Sequence, residues 1–162
     1  AIAQKEMIHT HNDIQVFKSV IDDARAKIKS QGIDLVPSHR AGNTANIMVG
    51  DNNEVRLIDF DLAANCDPFE EIGCFLQEYH ESDADAREGF EEWYGHLDEG
   101  LYQRSMLYGL ADDLRWGLIA SVMASRSPRK SLEYAKYASW RYLRLEMQAK
   151  RSDVAHRIRK AA

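Results

Sequence analysis

Apolar residues recur at helical spacing over residues 12–30, where Ile14, Phe17, Ile21, Ala24 and Ile28 fall on one face and Gly32 stands at a helix stop. The period then changes. Residues 35–38 are short and apolar, 46–49 and 55–58 are β-prone, and Gly50-Asp51-Asn52-Asn53 separates the last two as a turn. The pattern predicts a loop followed by a small β-hairpin. After Asp67 it is helical throughout, with Pro68 suited to a first turn and Ile72, Phe75, Leu76 and Tyr79 forming one stripe. Ser82 is placed to cap a second helix running past Phe90, Trp93 and Tyr94. A third helix spans about 101–125, and a fourth runs from about 131 toward 157, set off by Ser127-Pro128. No internal repeat is visible. The predicted class is α+β, mostly α: a helix, a loop, a hairpin and a helical bundle.

Composition narrows this picture. A chain of 162 residues, 44% hydrophobic, can bury one core and is too short for two, so residues 1–162 are read as a single domain. The net charge of -5 leaves no basic surface for a nucleic-acid partner. The basic tail Lys150, Arg151, Arg157, Arg159 and Lys160 reads as a solvated helix end, with cations at its negative pole. Two cysteines, Cys66 and Cys74, make neither a disulfide framework nor a zinc pattern, which points to a reducing, cytoplasmic setting. The apolar stretch 116–123 is far too short to span a bilayer, and the N-terminus has no basic-then-apolar signal pattern, so a soluble protein without a membrane partner is expected.

Candidate chemistry is concentrated in Pro37-Ser38-His39-Arg40-Ala41-Gly42-Asn43-Thr44-Ala45-Asn46-Ile47-Met48-Val49 and the following Leu57-Ile58-Asp59-Phe60-Asp61. This segment resembles a kinase catalytic loop and metal-binding strand end. In that pattern a His precedes a base Asp by two residues, an Asn follows five later, and an Ile-Asp-Phe-type tripeptide follows about a dozen later. Phosphoryl transfer needs oxygen ligands converging on Mg²⁺ from two adjacent backbone segments, and a loop feeding one hairpin strand can supply the Asn while the end of its partner strand supplies the Asp. The resemblance implies that Asn46 and Asp59 hold Mg²⁺ with Asp61 as a nearby second acid, that His39 pins the loop, and that the cofactors are Mg²⁺ and ATP. Asp67-Pro68-Phe69-Glu70-Glu71-Ile72-Gly73 is similar to the helix start that follows in the same superfamily. His11-Asn12-Asp13 imitates the first half of the loop, but the position five beyond Asp13 is Lys18, so it reads as a helix cap.

The stretch 113–119, with Trp116-Gly117-Leu118-Ile119, and the stretch 132–142, with Tyr134-Ala135 and Tyr137 through Trp140, resemble the closing helices of choline and ethanolamine kinases. There aromatic residues line the amine pocket. Trp116 and Tyr137 match its aromatic positions and Trp140 lies nearby, while Ile119 stands where the second Trp of that helix is expected. Aromatic faces attract an ammonium group by about 0.5–2 kcal/mol per contact. Ordinary packing of Trp116, Tyr137 and Trp140 between two helices is the other reading of these residues.

The sequence departs from the family in two places. Position 41 carries Ala instead of the base Asp, and neither Asn43 nor Arg40 can take its place. A general base contributes about 10²–10⁴ in rate, roughly 3–5 kcal/mol of barrier, so an impaired kinase is expected. Nothing ahead of the first helix matches the glycine-rich nucleotide loop and phosphate-binding Lys of the family's N-terminal lobe. The expectation is therefore a protein-kinase-like C-terminal lobe: a fragment, one half of a split kinase, or a degenerate homologue. Its apolar upper face would be covered by the missing lobe or by a partner chain.

The resemblance implies a choline kinase-like phosphotransferase acting on the hydroxyl of a small amino alcohol. An aminoglycoside-type phosphotransferase fragment, a non-catalytic pseudokinase-type binding or scaffold protein, and an all-helical interaction domain that binds no metal are the alternatives.

Overall fold

The computed structural model describes residues 13–129, 131–151 and 154–162, with only the backbone of Lys150 and Arg151; His11 and Asn12 lie outside the described residues. Among the described residues the first helix, α1 (Ile14–Gln31), starts directly after Asp13, whose carbonyl accepts from the Phe17 amide at 3.0 Å while its side chain makes no capping bond. Phe17, Ala24 and Ile28 form its buried face, as the spacing predicts.

Two short antiparallel ribbons follow. The hairpin is β2 (Ile47–Val49) on β3 (Val55–Leu57), entered through a 3₁₀ turn at Thr44–Asn46, with Met48 opposite Arg56. The second ribbon pairs β1 (Val36–Ser38) with β4 (Ala64–Cys66), Pro37 lying opposite Asn65. That pairing was not foreseen. It closes the segment between Ser38 and Ala64 into a loop whose ends are held together, so the catalytic-type loop and the hairpin emerge from one fixed base.

The helical part comprises α2 (Pro68–Tyr79), α3 (Asp83–Tyr94), α4 (Glu99–Arg126), α5 (Tyr134–Arg151) and α6 (Val154–Lys160). Side-chain caps start three of them: Asp67 accepts from the Phe69 amide, Ser82 from the Asp85 amide and Asp98 from the Leu101 amide. The long helix α4 is central and carries core residues on two sides. Leu107, Leu110 and Leu114 pack with α1 and with Tyr142 and Leu145 of α5. Tyr102 and Met106 pack with Ile72 and Leu76 of α2 and Phe90 of α3. Burying a Leu or Phe side chain contributes about 1.5–3 kcal/mol, so these two clusters hold the bundle together. A Cβ at Gly73 would lie 2.0 Å from the Ser105 carbonyl oxygen, and one at Gly117 would lie 2.5 Å from the Tyr142 ring. Glycine at these positions lets α2 and α5 close onto α4.

Two expectations are corrected. The predicted fourth helix is two elements, α5 and α6, with Ser152 and Asp153 outside the described residues; Val154 and Ile158 of α6 pack on the core that includes α1. The basic tail is also not wholly solvated. Arg157 is buried, donating to Gln103 Oε1 at 2.6 Å and to Asp83 Oδ1 at 2.8 Å, because the turn of α6 directs it inward between α3 and α4.

This anchor has a pH signature. Burial raises the Asp83 carboxyl, but hydrogen bonds from Arg157, Arg87 and Tyr102 outweigh it and hold the group down to about 2. A folded-state value below the unfolded one, about 3.9, gives stability that is present above the unfolded value and lost as pH falls through the folded value. Asp83→Asn should therefore melt below the parent at neutral pH, and the gap should close between about pH 4 and 2. Melting curves of both proteins across that window check this; a gap that stays constant in pH refutes it.

Candidate functional site

The loop after β1 is fixed by its backbone. The amide of His39 donates to Glu71 at 3.1 Å, and its buried ring donates from Nε2 to the Ile58 carbonyl at 2.7 Å, tying the loop to the end of β3. Phe60 packs edge-on against that ring at 4.7 Å. Arg40 adopts a left-handed backbone, φ 62°, and sends its guanidinium to Glu70 of α2 at 2.8 Å. The neighbouring Ala41 carbonyl accepts from the Asn43 amide at 2.9 Å and from Asn46 Nδ2 at 3.0 Å. Asn46 is buried, and its amide nitrogen is committed to Ala41, so its oxygen is the end left for a ligand.

Asp59 also has a left-handed backbone, φ 63°. For a non-glycine residue this costs of order 1 kcal/mol or more, and such strain concentrates where a side chain must be aimed. Arg40 and Asp59 are both strained and both line one cavity of about 250 Å³. Its loop wall is Arg40 through Asn43 with Asn46, and Asp59 and Leu62 follow from the strand end. The helical wall consists of three pairs at i,i+4 spacing: Cys74 and Glu78 on α2, Asp112 and Trp116 on α4, Tyr137 and Arg141 on α5.

Of the residues singled out in the sequence, Ala41, Asn46, Asp59, Trp116 and Tyr137 therefore meet in a single cavity. The others stand elsewhere. His39 sits behind the loop. Asp61 is exposed and does not line the cavity, and Ile119 is likewise outside it, 39% exposed. Trp140 lines a neighbouring cavity of about 370 Å³ together with Leu143, Arg144 and Met147, and the Arg144 guanidinium lies 4.9 Å from its ring centroid. Three residues past Tyr137, it turns to the adjacent side of α5.

Sequence reasoning missed Glu78, Asp112 and Arg141. Their i,i+4 spacing to Cys74, Trp116 and Tyr137 was available, but only the packing of three helices reveals that those faces converge. Behind them lies a buried ion network. Fully buried Asp113 accepts from Arg141 Nη1 at 2.9 Å and from Arg144 Nη2 at 2.6 Å, and Arg144 Nη1 donates to Glu78 at 3.0 Å. Arg141 Nε donates to the Tyr137 hydroxyl at 2.9 Å, which holds that ring at the cavity wall. Burial pushes the Asp112 carboxyl above its usual range, against the pull of Arg141 and with a further push from Asp113. Burial likewise raises the Cys74 thiol well above its usual range, which disfavours the thiolate.

A family model for a phosphotransferase enzyme family matches residues 6–108. The chain belongs to that family. Solved structures agree on the fold. A choline/ethanolamine kinase family protein from Mesorhizobium loti superposes with a TM-score of 0.84 at 14% identity, covering 94% of this chain and 52% of that one. Choline kinase LicA from Streptococcus pneumoniae gives 0.72 at 14% identity, over 91% and 52%. An ethanolamine kinase from Plasmodium vivax gives 0.64 at 17% identity, over 83% and 39%. No curated protein sequence matches the chain. The chain spans about half the length of the first two of these structural relatives and 39% of the third, and what it shares with them is the choline/ethanolamine kinase-like fold.

Proposed function

We propose that this chain is the metal- and substrate-binding half of a choline kinase-like phosphotransferase, which moves the γ-phosphoryl group of ATP to the hydroxyl of a small amino alcohol. The observation that carries this reading is the convergence of Asn46, Asp59, Trp116 and Tyr137 on one cavity beside the loop position 41. The donor set fits Mg²⁺, which takes hard oxygen ligands and usually binds through one or two protein groups plus substrate phosphates and water. Asn46 offers an amide oxygen that receives no hydrogen bond among the described residues, and the Asp59 carboxylate is likewise unengaged there. Among the described residues no three His, Cys, Asp or Glu side chains cluster as a self-sufficient metal site. Bound Mg²⁺ would neutralise charge on the transferring phosphoryl group.

The chain's own residues then have distinct tasks. His39 and Glu71 hold the loop, Asn46 and Asp59 present oxygens, and Trp116 and Tyr137 offer π faces to a cationic nitrogen. Ala41 supplies no proton acceptor, so the transfer runs without a positioned base and is slow. That observation also favours a second reading, a binding or scaffold protein with the same fold and no catalysis.

The apolar hairpin surface is part of the proposal. Val49 and Val55 are more than 60% exposed, and Leu57, Ile58 and Phe60 are exposed beside them. A nucleotide-binding half or a partner chain over this face would bury it. No helix among the described residues is long and apolar enough to cross a membrane. Cys66 and Cys74 are free thiols, which supports the cytoplasmic setting that belongs to this proposal.

Metal binding can be tested on the chain itself. A metal at ten times its Kd stabilises by about 1.4 kcal/mol, or roughly 3–6 °C in melting temperature for a chain of this size. Mg²⁺ should produce that shift in the parent and none in Asp59→Ala. An equal shift in both proteins, or none in the parent, removes Asp59 from the ligand set.

A further inference from the structure

On the helical wall of the cavity, Asp112 is a carboxylate that receives no hydrogen bond among the described residues. Its nearest cation, Arg141 Nη1, is 3.6 Å away, which is an electrostatic attraction and too long for a hydrogen bond. Arg141 is occupied elsewhere, by Asp113 and by the Tyr137 hydroxyl. The other helical acid of the cavity, Glu78, is taken by Arg144. Asp112 is thus the acid on the helical wall with unused acceptor capacity, and its side chain is only 18% exposed, so water replaces a donor poorly. It stands one helical turn before Trp116 on the same face of α4, and Tyr137 closes the opposite side from α5.

We infer that Asp112 accepts a hydrogen bond from the cationic nitrogen of the substrate, and that the cavity thereby selects amino alcohols retaining an N–H over those with a quaternary ammonium. This rests on the amino-alcohol reading above. The aromatic faces attract any ammonium group, methylated or not, and so do not discriminate. The carboxylate does. A nitrogen bearing at least one hydrogen satisfies it with a charge-assisted bond, whereas a quaternary nitrogen surrounds it with methyl groups and strips its water without replacement. Selectivity built on a buried acceptor is strong because the wrong ligand leaves that acceptor unpaired. The discrimination should appear as a step: successive methylation changes affinity little while one N–H remains, and removing the last one costs about 10- to 100-fold.

The test is calorimetric titration of the chain at neutral pH with ethanolamine and its N-methyl, N,N-dimethyl and N,N,N-trimethyl derivatives, each up to about 10 mM. Every ligand in the series is a cation, so the aromatic attraction is common to all. The expected result is similar affinity for the first three and a 10- to 100-fold drop for the fourth, choline. In Asp112→Ala the step should shrink below about threefold, with folding checked by a melting curve; the methylation series on the parent does not depend on that variant. Choline binding as tightly as the dimethyl compound overturns this inference while leaving the amino-alcohol reading intact. Failure of all four to bind the parent overturns both.

Discussion

Replacing Asp113 with alanine is expected to destabilise the chain by about 3–5 kcal/mol, and to lower its melting temperature by roughly 10 °C or more. Asp113 is fully buried on α4 and is the anion shared by two α5 guanidiniums, Arg141 and Arg144. Removing one partner of a buried ion pair costs far more than the pair contributes net, because the remaining charges stay desolvated without compensation. Here two cations lose their counter-ion. Arg144 keeps Glu78, and among the described residues Arg141 keeps only the distant Asp112 as an anion. The loss should also reach the site, since Arg141 positions Tyr137. A melting curve within a few degrees of the parent would show that water reaches these guanidiniums, contrary to their burial.

The second large effect is a gain. Joined to a nucleotide-binding half of the kind proposed above, the Ala41→Asp chain should transfer phosphate about 10²–10⁴ faster than the same fusion with Ala41. Position 41 lines the cavity, and its backbone is already held by the Asn43 and Asn46 hydrogen bonds, so a longer side chain there extends from a fixed point. The new carboxylate would join Asp59 and Asp112 around the cavity. Like charges at close range are unfavourable, so the variant should melt lower than the parent without metal and recover with Mg²⁺. Phosphotransfer in a coupled assay decides the matter. A rate that rises supports an enzyme whose base was lost, and persistent absence of transfer favours a binding protein.

The catalytic-type loop was legible because its logic is local. Asn46 and Asp59 flank one hairpin, so their meeting follows from the turn at Gly50-Asp51-Asn52-Asn53 and the pairing of Ile47 with Leu57. The caps at Asp67 and Ser82 were legible for the same reason, each being a short-range competition between side chain and water for helix-end amides. The β1–β4 ribbon was not, because Val36 and Cys66 are distant along the chain and each strand is only three residues long, too short for its pattern to signal a strand. Nor was the fate of Arg157. A cation near a helix end reads as solvated until the positions of Asp83 and Gln103 are known.

The sequence by itself determined the succession of helix, loop, hairpin and helical bundle, the registration of the loop with the strand end, and the absence of a carboxylate at position 41. Periodicity, capping and turn chemistry act over a few residues, and their outcome needs no distant partner. Only the tertiary structure decided which helical faces converge. It joined Asp112, Glu78 and Arg141 to Trp116 and Tyr137, and it left Asp61, Ile119 and Trp140 outside. Helical spacing states which residues share a face, while the choice of facing neighbour comes from close approach at positions such as Gly73 and Gly117 and from the burial of Asp113 between two arginines. Those are long-range packing terms, and no local pattern encodes them.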